Sequence, residues 1–347
     1  MHSAVGHLLS FILLISSILL AACGTERRVD RAFYEWRSVP TFSAIDRAHF
    51  DSLGITRLYI HYFDVQWDER DREPAPQRVA SLPSGYPASL EIIPTIYVTS
   101  DAMRRQQEPK RIALLAGRIV RKIDAMSAAA GLPTWRELQL DCDWTASSRS
   151  SYFALLREIR ALRPGRVLSA TIRLHQVKYR VETGIPPVDR GMLMVYNVGD
   201  VVSPEETNSI FRRGEVERYL GNLDDYPLPL DVALPIFSWG VRFHFDRFAA
   251  LIDNVSTAEM TAHADFRPLG DNLWQATRPT QLRGAEIAAG DVVRVEEPDR
   301  DDVVAIAGRI ADDIDQPSLT LSLYRYDPTI IARHGTHHLQ DLYRATR

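Results

Sequence analysis

Cysteine is almost missing from this 347-residue chain: there are two, Cys23 and Cys142. Two cysteines cannot build a Cys-based metal site. Runs of Lys or Arg are missing too, and the net charge is -4. Without a basic patch, nucleic acid is not an expected partner. No Gly-rich phosphate loop follows an early strand, which counts against a nucleotide-binding doubly wound sheet. No Gly-x-Ser-x-Gly occurs, so the nucleophile elbow of an α/β-hydrolase is not supported. His244, His263, His334, His337 and His338 are scattered, and adjacent His337 and His338 on a helix would point in different directions. No metal or cofactor is expected. Past Cys23 no apolar run is long enough to span a membrane.

What the chain does have begins with an apolar leader. From Leu8 to Ala22 only Ser10, Ser16 and Ser17 are polar, and the run ends Leu20-Ala21-Ala22-Cys23. That run is short for a bilayer span and stops at small residues. It resembles a bacterial lipoprotein signal, although the leader carries His2 and His7 in place of Lys or Arg. The resemblance implies removal of residues 1–22, acylation of Cys23, a polar tether over 23–30, and a lipid-held position in the bacterial cell envelope. Gly24 after the Cys argues, by the same resemblance, against retention in the inner membrane. The membrane leaflet stays open. With Cys23 acylated, Cys142 stands alone and no intrachain disulfide can form. The fold must then be held by its core, and a chain that is 45% hydrophobic has the residues for one.

From residue 31 onward, strand-like runs alternate with helix-like ones. The strand-like runs are 32–36, 57–63, 91–99, 137–144, 166–175, 191–197, 230–239 and 318–326. Helical periodicity marks 43–53, 111–130, 151–162, 204–220, 301–313 and 336–347, and is weakest after the second and fifth strands. Eight alternations in one chain of this size predict an α/β fold, a (β/α)8 TIM barrel over 31–347. Residues 245–300 read as an insertion after strand seven.

The fourth run, Glu137-Leu138-Gln139-Leu140-Asp141-Cys142-Asp143-Trp144, organises the rest. Side chains alternate along a strand, so Gln139, Asp141 and Asp143 share one face against Leu138, Leu140 and Cys142. Two neighbouring carboxylates in a low-dielectric place repel, so one should have a raised pKa or a cationic partner. The other strands also pair an apolar face with a polar, aromatic one. Turned inward, that face collects Glu35, His61, Tyr97, Asp141, Asp143, His175, Tyr196, Trp239, Tyr324 and Tyr326 near the C-terminal strand ends. Barrels do their chemistry there. Rings that stack on C–H faces, together with carboxylates that bond hydroxyls, suit a carbohydrate ligand.

Asp141-Cys142-Asp143-Trp144-Thr145 resembles the Asp-x-Asp-Trp-Glu end of strand four in chitinase-type barrels, glycoside hydrolase family eighteen. Met194-Val195-Tyr196-Asn197 resembles the same family's strand-six motif. The resemblance implies that Asp143 orients a substrate acetamido group and that Tyr196 assists that group as internal nucleophile. Asp141, Asp143, Met194, Tyr196 and Asn197 match by position. Thr145 does not: it stands where the acid Glu belongs. Tyr324 and Tyr326 occupy the region of the family's strand-eight Trp. A Thr hydroxyl cannot protonate a leaving group at neutral pH, and general acid help is worth roughly a hundredfold to ten-thousandfold. Asp143, Glu35 and Asp64 are the candidate replacement carboxyls.

Three functions fit: a glycosidase on an envelope or imported polysaccharide, a lipid-anchored sugar-binding protein on a degenerate barrel, and an assembly lipoprotein that holds a protein partner. Acid-dependent turnover, binding without turnover, and neither of these would separate them.

Overall fold

The computed structural model describes residues 27–37, 39–221 and 223–346. The apolar leader, its cleavage site and Cys23 lie outside the described residues. No helix among the described residues is long and apolar enough to cross a membrane.

Eight parallel strands close into a barrel: β1 (Arg28–Glu35), β2 (Arg57–Asp68), β3 (Glu91–Val98), β4 (Glu137–Asp141), β5 (Val167–Arg173), β6 (Arg190–Met194), β7 (Leu230–Pro235) and β8 (Ser318–Tyr324). Each pairs with the next, and β8 returns to β1. The fold is the (β/α)8 barrel that the alternation predicts.

Local chemistry explains the outer layer. Ser43 caps the helix Ala44–Leu53 in a capping box with Asp46, and Gly54 ends it at φ 65°. Pro109 starts the helix Pro109–Ala129. That helix buries Ile112, Leu115, Ala116, Ile119, Val120 and Ile123, the three-and-four spacing of one helical face. Where periodicity was weakest the layer is thin. After β2 the chain folds back on the second half of that strand as an antiparallel strand, Glu73–Gln77. After β5 come only two short helices, Leu174–Lys178 and Arg180–Thr183. The helix expected over 204–220 is confined to Arg213–Leu220.

The excursion after β7 begins at Trp239, six residues before the position the sequence suggested. Trp239–His244, Arg247–Asp253, Phe266–Gly270, Leu273–Ala276 and Val292–Glu296 form one antiparallel sheet. It has its own small core, which includes Met260, Phe266, Trp274, Val293 and Val295.

The barrel interior departs most from a usual barrel, where branched apolar side chains dominate. At its N-terminal end Arg57 donates to Glu91 at 3.0 Å and to Thr320 at 2.9 Å, and lies 3.4 Å from Glu137. Ser169 donates to the other Glu137 oxygen at 2.6 Å. Across the barrel Arg190 reaches Asp231 at 3.0 Å, and the Thr320 amide donates to the same carboxylate at 2.6 Å. One layer up, the Tyr34 hydroxyl donates to Gln139, and the Tyr34 ring stacks on Tyr59 at 5.0 Å. Burial pushes the Glu137 carboxyl up, against the pull of Arg57 and the Ser169 hydroxyl.

Breaking one partner of such a pair costs more than the pair contributes, because a charge is left buried alone. Arg57→Leu should therefore destabilise the barrel by about 3–5 kcal/mol at pH 7. The variant raises the folded-state pKa of Glu137 further. The unfolded chain is common to both proteins, so the penalty is absent while Glu137 is protonated in the wild-type fold and grows as pH rises through its raised folded-state pKa. Denaturant unfolding at pH 4 and pH 7 checks this; an equal loss at both would show that Glu137 does not depend on Arg57.

Candidate functional site

The C-terminal strand ends converge on a cavity of about 250 Å³. Its wall contains Trp36, His61, Asp64, Arg78, Tyr97, Asp141, Asp143, Arg173, Met194, Tyr196, Asn197 and Tyr324. Of the side chains expected at the mouth, it thus brings together His61, Tyr97, Asp141, Asp143, Tyr196, Asn197 and Tyr324.

The two carboxyls of β4 are handled differently. Asp143 lies just beyond the strand and is gripped in a two-pronged pair by Arg173, at 2.6 Å and 2.7 Å. Asp141, at the strand end, accepts from the Thr171 hydroxyl at 2.7 Å through Oδ1. Its Oδ2 has no hydrogen-bond partner among the described residues. Burial first, and then the charge of Asp143, push Asp141 up to about 6, opposed by Thr171 and Arg173. The expected repulsion is thus divided: a cation meets Asp143, and Asp141 carries the raised pKa.

On the opposite wall a β-bulge does the positioning. The register of β2 on β3 slips between His61 and Phe63. The extra residue reverses the alternation, so Asp64 falls on the same face as His61. Their side chains meet at 2.7 Å, both nearly buried, and Gln66 donates to the other Asp64 oxygen at 2.9 Å. The His61 ring lies against Trp36, with centroids 4.9 Å apart. Tyr196 stacks on Tyr324 at 4.9 Å. Burial pushes the Tyr97 phenol up to about 12, helped by Asp141 and Asp143, and raises Tyr196 well above its ordinary value. Both phenols are donors at neutral pH. Asn197 holds φ 55°, a left-handed conformation that Asn tolerates, as the chain turns away from β6.

Four expected mouth residues lie elsewhere. Glu35 is out of phase: Tyr34 and Trp36 point inward, so Glu35 faces the outer layer, 2% exposed and held by the backbone and guanidinium of Arg37. It is not a mouth carboxyl. Tyr326 lies beyond the end of β8. It packs on Phe33 and Phe50 and donates to Asp46, between barrel and helices. His175 is not on β5, which ends at Arg173. The Gln176 side chain accepts from the Arg173 amide at 2.8 Å and starts a helix there. His175 is exposed and lines a separate recess of about 60 Å³. Trp239 opens the inserted sheet and donates to Glu296 at 2.8 Å. Glu296, with no exposure, also receives Ser209 and pairs with Arg294 at 2.7 Å. Trp239 therefore ties the insertion to the loop after β6 and reaches the mouth only through Phe237, which packs edge-on against Tyr324.

Thr145 is also accounted for. It is exposed, its amide donates to Ser148 at 2.9 Å, and its hydroxyl meets Ser147 at 3.0 Å. It builds the turn into the helix Arg149–Leu162 and does not line the cavity. Two lining residues, Trp36 and Arg78, were not among the side chains expected at the mouth. The alternation Tyr34, Trp36 was a usable signal for the first; nothing marked the second. Among the described residues no three His, Cys, Asp or Glu side chains group as a metal site requires. Larger clefts open elsewhere, one of about 520 Å³ beside Arg28, Glu91 and Trp135 at the N-terminal strand ends. That cleft also holds Asp30, Glu91, Tyr62 and Trp135, but it lies at the end of the barrel opposite the one where such folds carry their chemistry.

No family model matches the sequence, and no curated protein matches it. Solved structures do resemble the fold. The spore cortex-lytic enzyme SleL of Bacillus cereus superposes with a TM-score of 0.54 at 16% identity, over 93% of this chain and 75% of that one. SleL of Bacillus megaterium QM B1551 gives 0.55 at 11% identity, with the same coverage. A GH18 chitinase mutant of Cycas revoluta, solved in complex with (GlcNAc)4, gives 0.52 at 11% identity over 92% of this chain and 99% of that one. At such identities the likeness is one of fold: the chain is a chitinase-like TIM barrel.

The Arg173 pair revises what the sequence suggests for Asp143. Relief of a like-charge pair alone would leave Asp143→Asn as stable as the wild type or more so. With both oxygens bonded to Arg173, the change should cost about 1 kcal/mol, low for a charged hydrogen bond because Asp143 is partly solvated. It should also lower the pKa of Asp141, since a negative neighbour goes and Arg173 is freed. Carboxyl NMR titration reads this directly; an Asp141 pKa that stays or rises contradicts the assignment.

Proposed function

We propose that the barrel mouth binds a saccharide and that the protein acts as a sugar-binding barrel without the hydrolytic acid of the motif it resembles. One observation carries this reading: Trp36, Tyr97, Tyr196 and Tyr324 surround Asp141 in a single cavity, while Thr145 turns away from it. Ring faces cover the C–H faces of a pyranose, and the carboxyl and phenol groups meet its hydroxyls. A volume of about 250 Å³, just under the usual range for drug-sized ligands, suits one sugar ring. The (GlcNAc)4 bound by the Cycas revoluta relative of fold is a ligand of the same chemical class.

A second reading, a glycosidase with Asp141 as its acid, is favoured by the rise of that carboxyl to about 6. Such an acid works only while protonated, so turnover would fall as pH rises through 6.

The leader motif supports a lipid anchor at Cys23 in the cell envelope. β1 starts at Arg28, at the barrel end opposite the mouth. Cys23→Ala should leave an uncleaved or unlipidated form in a fractionated bacterial host; unchanged membrane partition together with normal processing would contradict the anchor.

Calorimetric titration with an oligosaccharide panel, alongside a reducing-sugar turnover assay, tests the main reading. Binding without turnover is expected, with Asp141→Ala weakening it by about 1.5–3 kcal/mol, as for a charged hydrogen bond. Turnover that disappears above pH 6 and is lost in Asp141→Asn would establish the second reading instead. No binding to any sugar would contradict both.

A further inference from the structure

We infer that the sugar held in the mouth carries a free protonated amine, as in a de-N-acetylated amino sugar, with the ammonium beside Asp141 and the surrounding rings. This rests on the saccharide-binding reading and names its ligand class.

The charges of the cavity set the sign. Asp64, Asp141 and Asp143 face it, against Arg78 and Arg173. Asp143 and Arg173 close on one another. Arg78 is mostly in solvent, and its guanidinium comes no nearer than 3.8 Å to Asp64. His61 bonds the other Asp64 oxygen. What is left over is Asp141, with Oδ1 on Thr171 and Oδ2 turned to the cavity without a partner among the described residues. Three carboxyls thus face two guanidinium groups, and Asp141 is the one without a cationic or imidazole partner at hydrogen-bond distance, which disfavours an anionic sugar.

The rings add to this. Trp36, Tyr97, Tyr196 and Tyr324 line the same small space as Asp141. Aromatic faces attract cations, most strongly where water is excluded, and a ring of them beside a carboxylate is a standard way to hold an ammonium. The raised pKa of Asp141 fits a carboxyl that lacks a cation.

The arrangement also counts against the acetylated sugar. In the motif this strand resembles, the carboxylate at the position of Asp143 orients an acetamido group. Here Arg173 bonds both Asp143 oxygens, so an acetamido N–H would have to share an oxygen already paired with a guanidinium. A free amine needs none at that position; it needs the open carboxyl oxygen of Asp141.

The test uses the full chain and three β-1,4-linked tetrasaccharides that differ only at C2: glucosamine, N-acetylglucosamine and glucose. In titration calorimetry at neutral pH the glucosamine tetramer should bind at least about tenfold tighter than either other, with the preference shrinking as salt is added. Asp141→Asn should bring the three affinities together. If the acetylated or the glucose tetramer binds as tightly as the amine, or if a folded Asp141→Asn keeps the preference, the amine inference is overturned while the sugar-binding reading stands. If none of the three binds the native protein, the sugar-binding reading goes with it. Should Asp141→Asn not fold, the wild-type ranking alone decides.

Discussion

Everything at the mouth depends on the neutralisation of charge inside the barrel. A barrel filled with Arg57, Glu137, Arg190 and Asp231 cannot be held by apolar packing at its axis. Each charge taken from water costs several kcal/mol unless a partner meets it. Here the partners are within reach: Arg57 serves Glu91, Glu137 and Thr320, and Arg190 serves Asp231. The apolar stabilisation comes from outside, where the strands meet the helices through Leu138, Leu140, Ile172, Leu193 and Leu321. The interior then becomes a polar column, and Asp141 sits near its top. A carboxyl in that place has neighbours to hydrogen-bond, yet little solvent to keep it charged.

That position divides the work between two aspartates that look equivalent in the sequence. Asp143, one step further out, reaches Arg173 and is fixed by it. Asp141 has only a hydroxyl and carries the cost of burial itself. A group of this kind is poised either to hold a proton or to take a cation from a ligand. The missing Glu at Thr145 removes the usual use for the first option. The aromatic lining favours the second.

Much of this was legible in the sequence because β-strands alternate without exception over short stretches. Gln139 and Asp141 faced inward as counted, as did Ser169, Thr171 and Arg173. The count failed where the chain stops being a regular strand. A bulge at β2 brought Asp64 in beside His61, and no residue pattern announces a bulge. On β1 the phase was misjudged: Tyr34 and Trp36 point in, so Glu35 points out. At the ends of β5 and β8 the strand was read two residues too far, which misplaced His175 and Tyr326. Trp239 was read as the end of a strand when it starts the inserted sheet. The Arg173–Asp143 pair joins residues 30 apart on neighbouring strands, a contact that alternation within one strand does not reveal.

The insertion is fastened to the barrel by a similar device. Arg294 and Glu296 are almost fully buried, and between them they hold Trp239, Ser209 and two carbonyls of the loop after β6. That loop carries Tyr196 and Asn197 of the mouth, so the inserted sheet braces the wall on this side. The account as a whole places one sugar ring at the axis of the barrel. A crystal structure of the protein grown with an oligosaccharide tests that placement most directly. It should show a sugar ring among Trp36, Tyr196 and Tyr324 with a polar atom hydrogen-bonded to Oδ2 of Asp141. A sugar seated instead in the cleft beside Arg28 and Trp135, with the mouth left open, would contradict it.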